Sequence, residues 1–192
     1  MNEVGHYISF STKFKQYLDS YLDEGYVSYF SCDNTLDILV KDLEKQSGYK
    51  IKPDNVYIPK LKVDIVFVIC GHNAFTKLIL IEAKLLQQLT LKDYSQLVGY
   101  LQVAKSIGTG LLLLIQKSAS VNKLSNNFNE IIKLKKLPMS WQIELSSIAQ
   151  KHTFKTGIIS YIPNNSIDWV DTKSINGIST FEELCSTIYG PE

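Results

Sequence analysis

The chain has 192 residues, 45% of them hydrophobic and 20% charged, which is enough apolar material for one globular domain. Its formal charge of +1 provides no global basic field, so any nucleic-acid contact must come from a local patch. All 20 basic residues are lysine, which removes the bidentate arginine reader of guanine.

Cys32, Cys70 and Cys185 are far apart and form no CxxC pair, so a zinc site is not expected and a reduced, cytoplasmic protein is. The N-terminal "MNEVGHYISF" has no basic region followed by an apolar core, so no secretory signal is expected. No apolar run approaches the ~20 residues a membrane span needs.

In chain order, residues 12–23, "TKFKQYLDSYLD", place Phe14, Tyr17, Leu18, Tyr21 and Leu22 at helical spacing. "DNTLDILVKDLEKQSGY" predicts a second helix, with Asn34 as N-cap, a stripe of Leu36, Leu39, Val40 and Leu43, and Gly48 as its stop. "YKIK" reads as a strand and Pro53, Asp54 and Asn55 as a turn. Strands at about 61–70 and 77–84 flank the polar turn "GHNAF".

Thr90 is placed to cap a helix over "LKDYSQLVGYLQVAKS", with Gly108 and Gly110 ending it. "LLLLI", residues 111–115, predicts a strand buried on both faces. Residues 118–156 read as mostly helical, with Pro138 separating "FNEIIKLKKL" from "WQIELSSIAQKH". "GIISYI" is a further strand, and "FEELCSTIYG" a closing helix with Thr180 as its cap. The order α-α-β-β-β-α-β points to an α/β fold with a central mixed sheet flanked by helices.

Within the hairpin, alternate residues share a face, so Glu82 and Lys84 point together and Ala83 points away. Antiparallel pairing brings the start of one strand beside the end of the other, so Asp64 and Glu82 meet at one end. Two carboxylates and an ammonium thus converge on an apolar frame. Buried carboxylates at short range repel unless a cation neutralises them. Mg²⁺ suits that role, because it takes a few carboxylates and keeps waters and phosphate oxygens in its remaining positions. A metal-bound water of lowered pKa can attack phosphorus, with Lys84 orienting it, deprotonating it, or stabilising charge on the phosphate.

Asp64 followed by Glu82-Ala83-Lys84 resembles the PD-(D/E)XK motif of the restriction-endonuclease-like nucleases, with Val63 where the family has proline. Gln96 and Tyr100, four apart on the following helix, resemble the QxxxY of RecB-like nucleases and type I restriction subunits. The family often carries an acidic residue near the start of an upstream helix. Asp37, eleven positions before Gly48-Tyr49, corresponds to it, although a first-turn carboxylate also complements the helix dipole.

The resemblance covers about residues 34–116 of a single 1–192 domain and leaves 117–192 as an extension for DNA or dimer contacts. It implies a restriction-endonuclease-like core that hydrolyses DNA with Mg²⁺, Mn²⁺ substituting. Asp64 and Glu82 would be ligands assisted by Asp37, Lys84 and Gln96 would act at the water, and Tyr100 would contact DNA. It also implies a homodimer of the type II restriction or defence kind. The alternatives are a repair or recombination nuclease recognising DNA structure, and a non-catalytic binding subunit.

The lysines at 123, 133, 135 and 136 form a basic group, of which Lys133, Lys135 and Lys136 are candidate DNA contacts. "KLSNNFN" and "PNNS" are rich in asparagine, which suits adenine. His6, His72 and His152 have no partners at metal spacing and are expected at the surface. Trp141 and Trp169 are expected as core or interface anchors.

Overall fold

The computed structural model describes residues 2–52, 58–72, 74–104, 107–117, 122–134, 140–144, 151–163, 167–169 and 180–189. Its elements are α1 (Glu3–Tyr21), β1 (Tyr26–Thr35), α2 (Leu36–Ser47), β2 (Lys62–Gly71), β3 (Ala74–Leu85) and α3 (Leu91–Val103), then β4 (Thr109–Ile115), α4 (Asn126–Lys133), β5 (Ser140–Glu144), β6 (Lys151–Tyr161), β7 (Ile167–Trp169) and α5 (Phe181–Tyr189). The strands form one mixed sheet in the order β1-β2-β3-β4-β6-β5, with β7 beside β6. β3, β4 and β6 run parallel, and the other pairings are antiparallel. The α/β class and the flanked mixed sheet expected from the sequence are both present.

The central strands feed two cores by alternation. Ile65, Phe67, Ile79, Ile81, Leu111 and Leu113 meet Phe10, Phe14 and Leu18 of α1 and Leu184 of α5 on one face. Val66, Val68, Leu80, Leu112 and Leu114 meet Leu39 of α2, Leu97 of α3 and Phe128 of α4 on the other. Each such side chain contributes roughly 1.5–3 kcal/mol of burial free energy. All seven residues of β4 are buried, which explains its unbroken apolar run.

The helix ends follow their sequence signals. Gly48 closes α2 at φ 75°, a left-handed conformation that costs glycine nothing. Thr90 and Asp93 form a capping box on α3. The Thr180 hydroxyl accepts the Glu183 N–H at 3.1 Å at the start of α5.

Elsewhere local pattern was overridden. Residues 26–35 form β1, and the cap position of α2 is Thr35 rather than Asn34, which still pairs with Val63 in the strand. β1 lacks clean alternation because it is an edge strand: Ser28 and Ser31 are buried while Val27 is exposed. "YKIK" is not a strand; the Ile51 and Lys52 N–H groups donate instead to Glu44 Oε1. Residues 140–144 and 151–156, expected to be helical, are paired strands, because the tertiary partner β6 outweighs the local helical spacing. α1 begins at Glu3, well before residue 12. His6 is buried rather than exposed. Pro53, Asp54, Asn55, Pro138 and the side chains of Trp141, His152 and Trp169 lie outside the described residues.

The free edge of β1 is blunted from both faces. Asp19 Oδ1 accepts the Ser28 N–H at 2.8 Å, and Gln46 Nε2 donates to the Phe30 carbonyl at 3.3 Å. No helix among the described residues is long and apolar enough to cross a membrane.

α3 is seated on β4 at Gly110, which lies in the strand and not at the helix end. A Cβ there would stand 2.4 Å from Leu101 Cδ1 and 3.1 Å from Leu97 Cδ1. The Tyr94 hydroxyl bonds Thr156 Oγ1 at 2.7 Å and fixes the same helix to β6. Gly110→Ala therefore forces two buried leucines aside, and urea unfolding should show a loss of about 1–3 kcal/mol. An unchanged midpoint would refute this close seating of α3.

Candidate active site

β2 pairs with β3 only as far as Ile65↔Ile81, although β2 stays on β1 to Lys62 and β3 stays on β4 to Leu85. The two strands therefore part, and Asp64 and Glu82 are the first residues inside the fork. The Ala83 N–H, left without a ladder partner, donates to Asp64 Oδ2 at 2.8 Å. That bond draws the Asp64 side chain into the gap. Glu82 lies directly across it on the face with α2 and α3, as alternation requires.

Glu82 is only 2% exposed. Its Oε1 accepts from Lys84 Nζ at 2.5 Å, and its Oε2 is buried with no hydrogen-bond partner among the described residues. Burial, and then the charge of Asp64, push the Glu82 carboxyl up to about 7. Asp64 is raised as well, chiefly by burial, against the pull of the Ala83 N–H and Lys84. Burial works to lower Lys84, but Glu82, Asp64 and Asp93 outweigh it, and the ammonium is held above its ordinary value.

Lys84 also donates to Gln96 Oε1 at 3.4 Å, and Gln96 Nε2 donates to the Tyr100 hydroxyl at 2.7 Å. A chain of four side chains, Glu82-Lys84-Gln96-Tyr100, thus runs from strand to helix. The i, i+4 spacing of Gln96 and Tyr100 is what lets them bond. The seating of α3 at Gly110 holds both within reach.

Sequence reasoning missed Glu3 and Tyr7. Both belong to α1, on the other face of the sheet, and both interact with Asp64. The Tyr7 ring is buried in that core. The available signal was Asn2 followed by Glu3, a cap and an acidic first turn, leading into a stripe of Tyr7, Phe10 and Phe14.

Asp37 does not join the pair. Its carboxylate accepts from Thr35 Oγ1 at 2.6 Å, and that bond, with Lys60 and Lys41 nearby, holds it below the usual carboxylate range. It serves the start of α2. Lys133 is exposed in the last turn of α4 and takes no part in these contacts, while Lys135 and Lys136 lie outside the described residues.

The hard carboxylate oxygens, with Glu82 Oε2 lacking a partner among the described residues, fit a divalent cation of the Mg²⁺ type. Asp64 and Glu82 are two ligands rather than a closed cage: among the described residues no group of three or more His, Cys, Asp or Glu side chains is placed to hold a metal. No family model, curated protein or solved structure matches the chain.

Glu82 makes a stability prediction. Its folded-state value of about 7 stands above the ordinary 4.5, so the folded chain binds more protons and stability falls as pH rises between those values. Above pH 7 the full penalty applies. Thermal unfolding in chelator at pH 8 should find Glu82→Gln more stable than the wild type, by on the order of 3 kcal/mol, with the gap closing toward pH 4. A variant less stable at pH 8 would contradict the sign.

Proposed function

We propose that the fork is the active site of a metal-dependent nuclease of the restriction-endonuclease-like kind, cutting DNA. The observation that carries this is the buried Glu82 Oε2, without a hydrogen-bond partner among the described residues, beside Asp64, with Lys84 bound to the same carboxylate. Two carboxyl groups raised chiefly by burial mark a place where a cation can neutralise the charge they would carry.

Asp64 and Glu82 would hold Mg²⁺ or Mn²⁺ through Asp64 Oδ1 and Glu82 Oε2, since Asp64 Oδ2 and Glu82 Oε1 are already engaged. When bound, such a cation supplies a water of lowered pKa and neutralises charge on a phosphodiester. Lys84 is held as an ammonium, so its role is to orient the water and to stabilise negative charge developing on the phosphate. Gln96 fixes the Lys84 head group, and Tyr100 fixes Gln96. Tyr100, half-buried on α3, would contact the strand being cut. In the hydrolysis the water oxygen would bond to phosphorus as the P–O bond to the leaving oxygen breaks; the water would lose its proton to solvent and the leaving oxygen would take one up from solvent.

Cutting both strands of a duplex calls for two copies, and a homodimer belongs to this proposal. The blunted edge of β1 argues that the copies do not join through that edge. Among nucleases, the Gln96–Tyr100 bond supports a RecB-like arrangement, so a repair or recombination enzyme acting on DNA structure is the second reading.

Incubation of plasmid, branched and single-stranded DNA with Mg²⁺ tests the reading. The wild type should cut at least one of these, and Lys84→Ala and Asp64→Ala should each lower the rate ~10²–10³-fold while remaining folded. A wild type that cuts none of the three sinks the enzyme reading. Mapping the fragment ends separates the two kinds of nuclease, because only a restriction enzyme leaves fixed sequences.

A further inference from the structure

A groove opens at the same end of the sheet as the fork, on the face that carries α1. β3, β4 and β6 run parallel and finish level, with Leu85 opposite Ile115 and Ile115 opposite Tyr161. Tyr161 therefore lies two strand spacings from Leu85, ~10 Å. It is 2% exposed, with its ring edge-on to Phe10 at 5.3 Å and to Phe181 at 6.4 Å. Its hydroxyl meets Ser9 Oγ at 3.4 Å, beside a groove of about 410 Å³. Among the described residues the groove is lined by Ser9, Thr12, Lys13, Gln16 and Tyr161. The four helical members stand at i, i+3, i+4 and i+7, one stripe ~10 Å long beside the buried stripe of Phe10 and Phe14. Three hydroxyls, an amide and an ammonium can all donate, and none of the five side chains is acidic. Lys13 Nζ stands 5.4 Å from the centre of the Phe181 ring, a contact that holds the ammonium in place. Glu182 and Glu183 follow Phe181 on α5 and are not among these lining residues.

We propose that this groove cradles backbone phosphates of the DNA strand beyond the bond being cut. Lysine, serine, threonine, glutamine and tyrosine are the side chains that hold phosphate and sugar oxygens without reading bases. The separation of ~10 Å between groove and fork matches about three nucleotides at ~3.4 Å of axial rise each. A strand engaged at the fork thus passes over the ends of β3, β4 and β6 and meets α1. The groove is the local donor patch that a chain of net charge +1 needs in order to hold a polyanion. Its contacts require no metal and no particular sequence. This assignment rests on the nuclease reading of the fork.

Fluorescence anisotropy with labelled single-stranded and duplex oligonucleotides, in chelator so that nothing is cut, tests it. The wild type should bind at least one form. Lys13→Gln keeps most of the stem and removes the charge, and it should weaken that binding ~10-fold. The slope of log affinity against log salt should become shallower by ~0.7 on a single strand or ~0.9 on a duplex. Gln16→Glu, at an exposed position, sets a like charge against the phosphates and should weaken binding ~5-fold at low salt, with the gap closing as salt is raised. Lys45→Ala, exposed in the last turn of α2, should match the wild type. Unchanged affinity and slope in Lys13→Gln and Gln16→Glu overturn the groove and leave the nuclease reading standing. Equal weakening in Lys45→Ala overturns it too, because any lysine would then serve. If Gln16→Glu weakens binding of inorganic phosphate but not of DNA, the groove takes the free anion and the strand assignment falls. A wild type that binds neither oligonucleotide overturns the groove, while the cleavage assay judges the nuclease reading separately. Should Lys13→Gln not fold, Gln16→Glu alone decides.

Discussion

The bond from the Ala83 N–H to Asp64 Oδ2 is the contact on which the site depends. A continued β2–β3 ladder would give that N–H a backbone carbonyl and would press the two strands together. Asp64 and Glu82 would then face each other at the close spacing of a strand pair, and one buried charge would have to be given up. Ending the ladder at Ile65↔Ile81 opens room between the carboxylates, and the Asp64 side chain takes over the lost backbone bond. The fork is thus a satisfied break in the sheet, held open by the same residue that uses it.

The rigidity around the break comes from neighbours that do not part. β1 carries β2 as far as Lys62, and β4 carries β3 as far as Leu85. Each half of the fork is a strand inside a pairing that continues, sandwiched between two cores. This is why two raised carboxyl groups persist on so apolar a frame. The cost of burying them is local, and the packing on either side over-determines their positions.

Much of the site was legible because it rests on period two. The alternation of Glu82, Ala83 and Lys84 and the antiparallel sense of the hairpin place Asp64, Glu82 and Lys84 together without further information. Gln96 and Tyr100 follow from helical period, once the capping box at Thr90 sets the start of α3. What failed was what only tertiary partners decide. β1 is an edge strand whose buried residues are serines, bonded to Asp19 and Asp42, so its sequence shows no hydrophobic alternation. β5 and the start of β6 are strands because each supplies the other's ladder. Asp37 misled because a carboxylate in a first turn serves its own helix in the same way wherever that helix lies.

Glu3 and Tyr7 show a deeper limit. They sit about sixty residues from Asp64 in sequence and on the opposite face from α2 and α3. In an unbroken sheet the two faces are insulated from each other by the strands, and no helix on one side touches a side chain on the other. The parting of β2 and β3 removes that insulation at one point. There α1 approaches Asp64 from one face, while the Lys84-Gln96-Tyr100 chain approaches Glu82 from the other. A site built this way is sensed by both helical layers at once. A shift in how α1 or α3 seats on the sheet must therefore change the distance between the two carboxylates, and with it the charge they can carry.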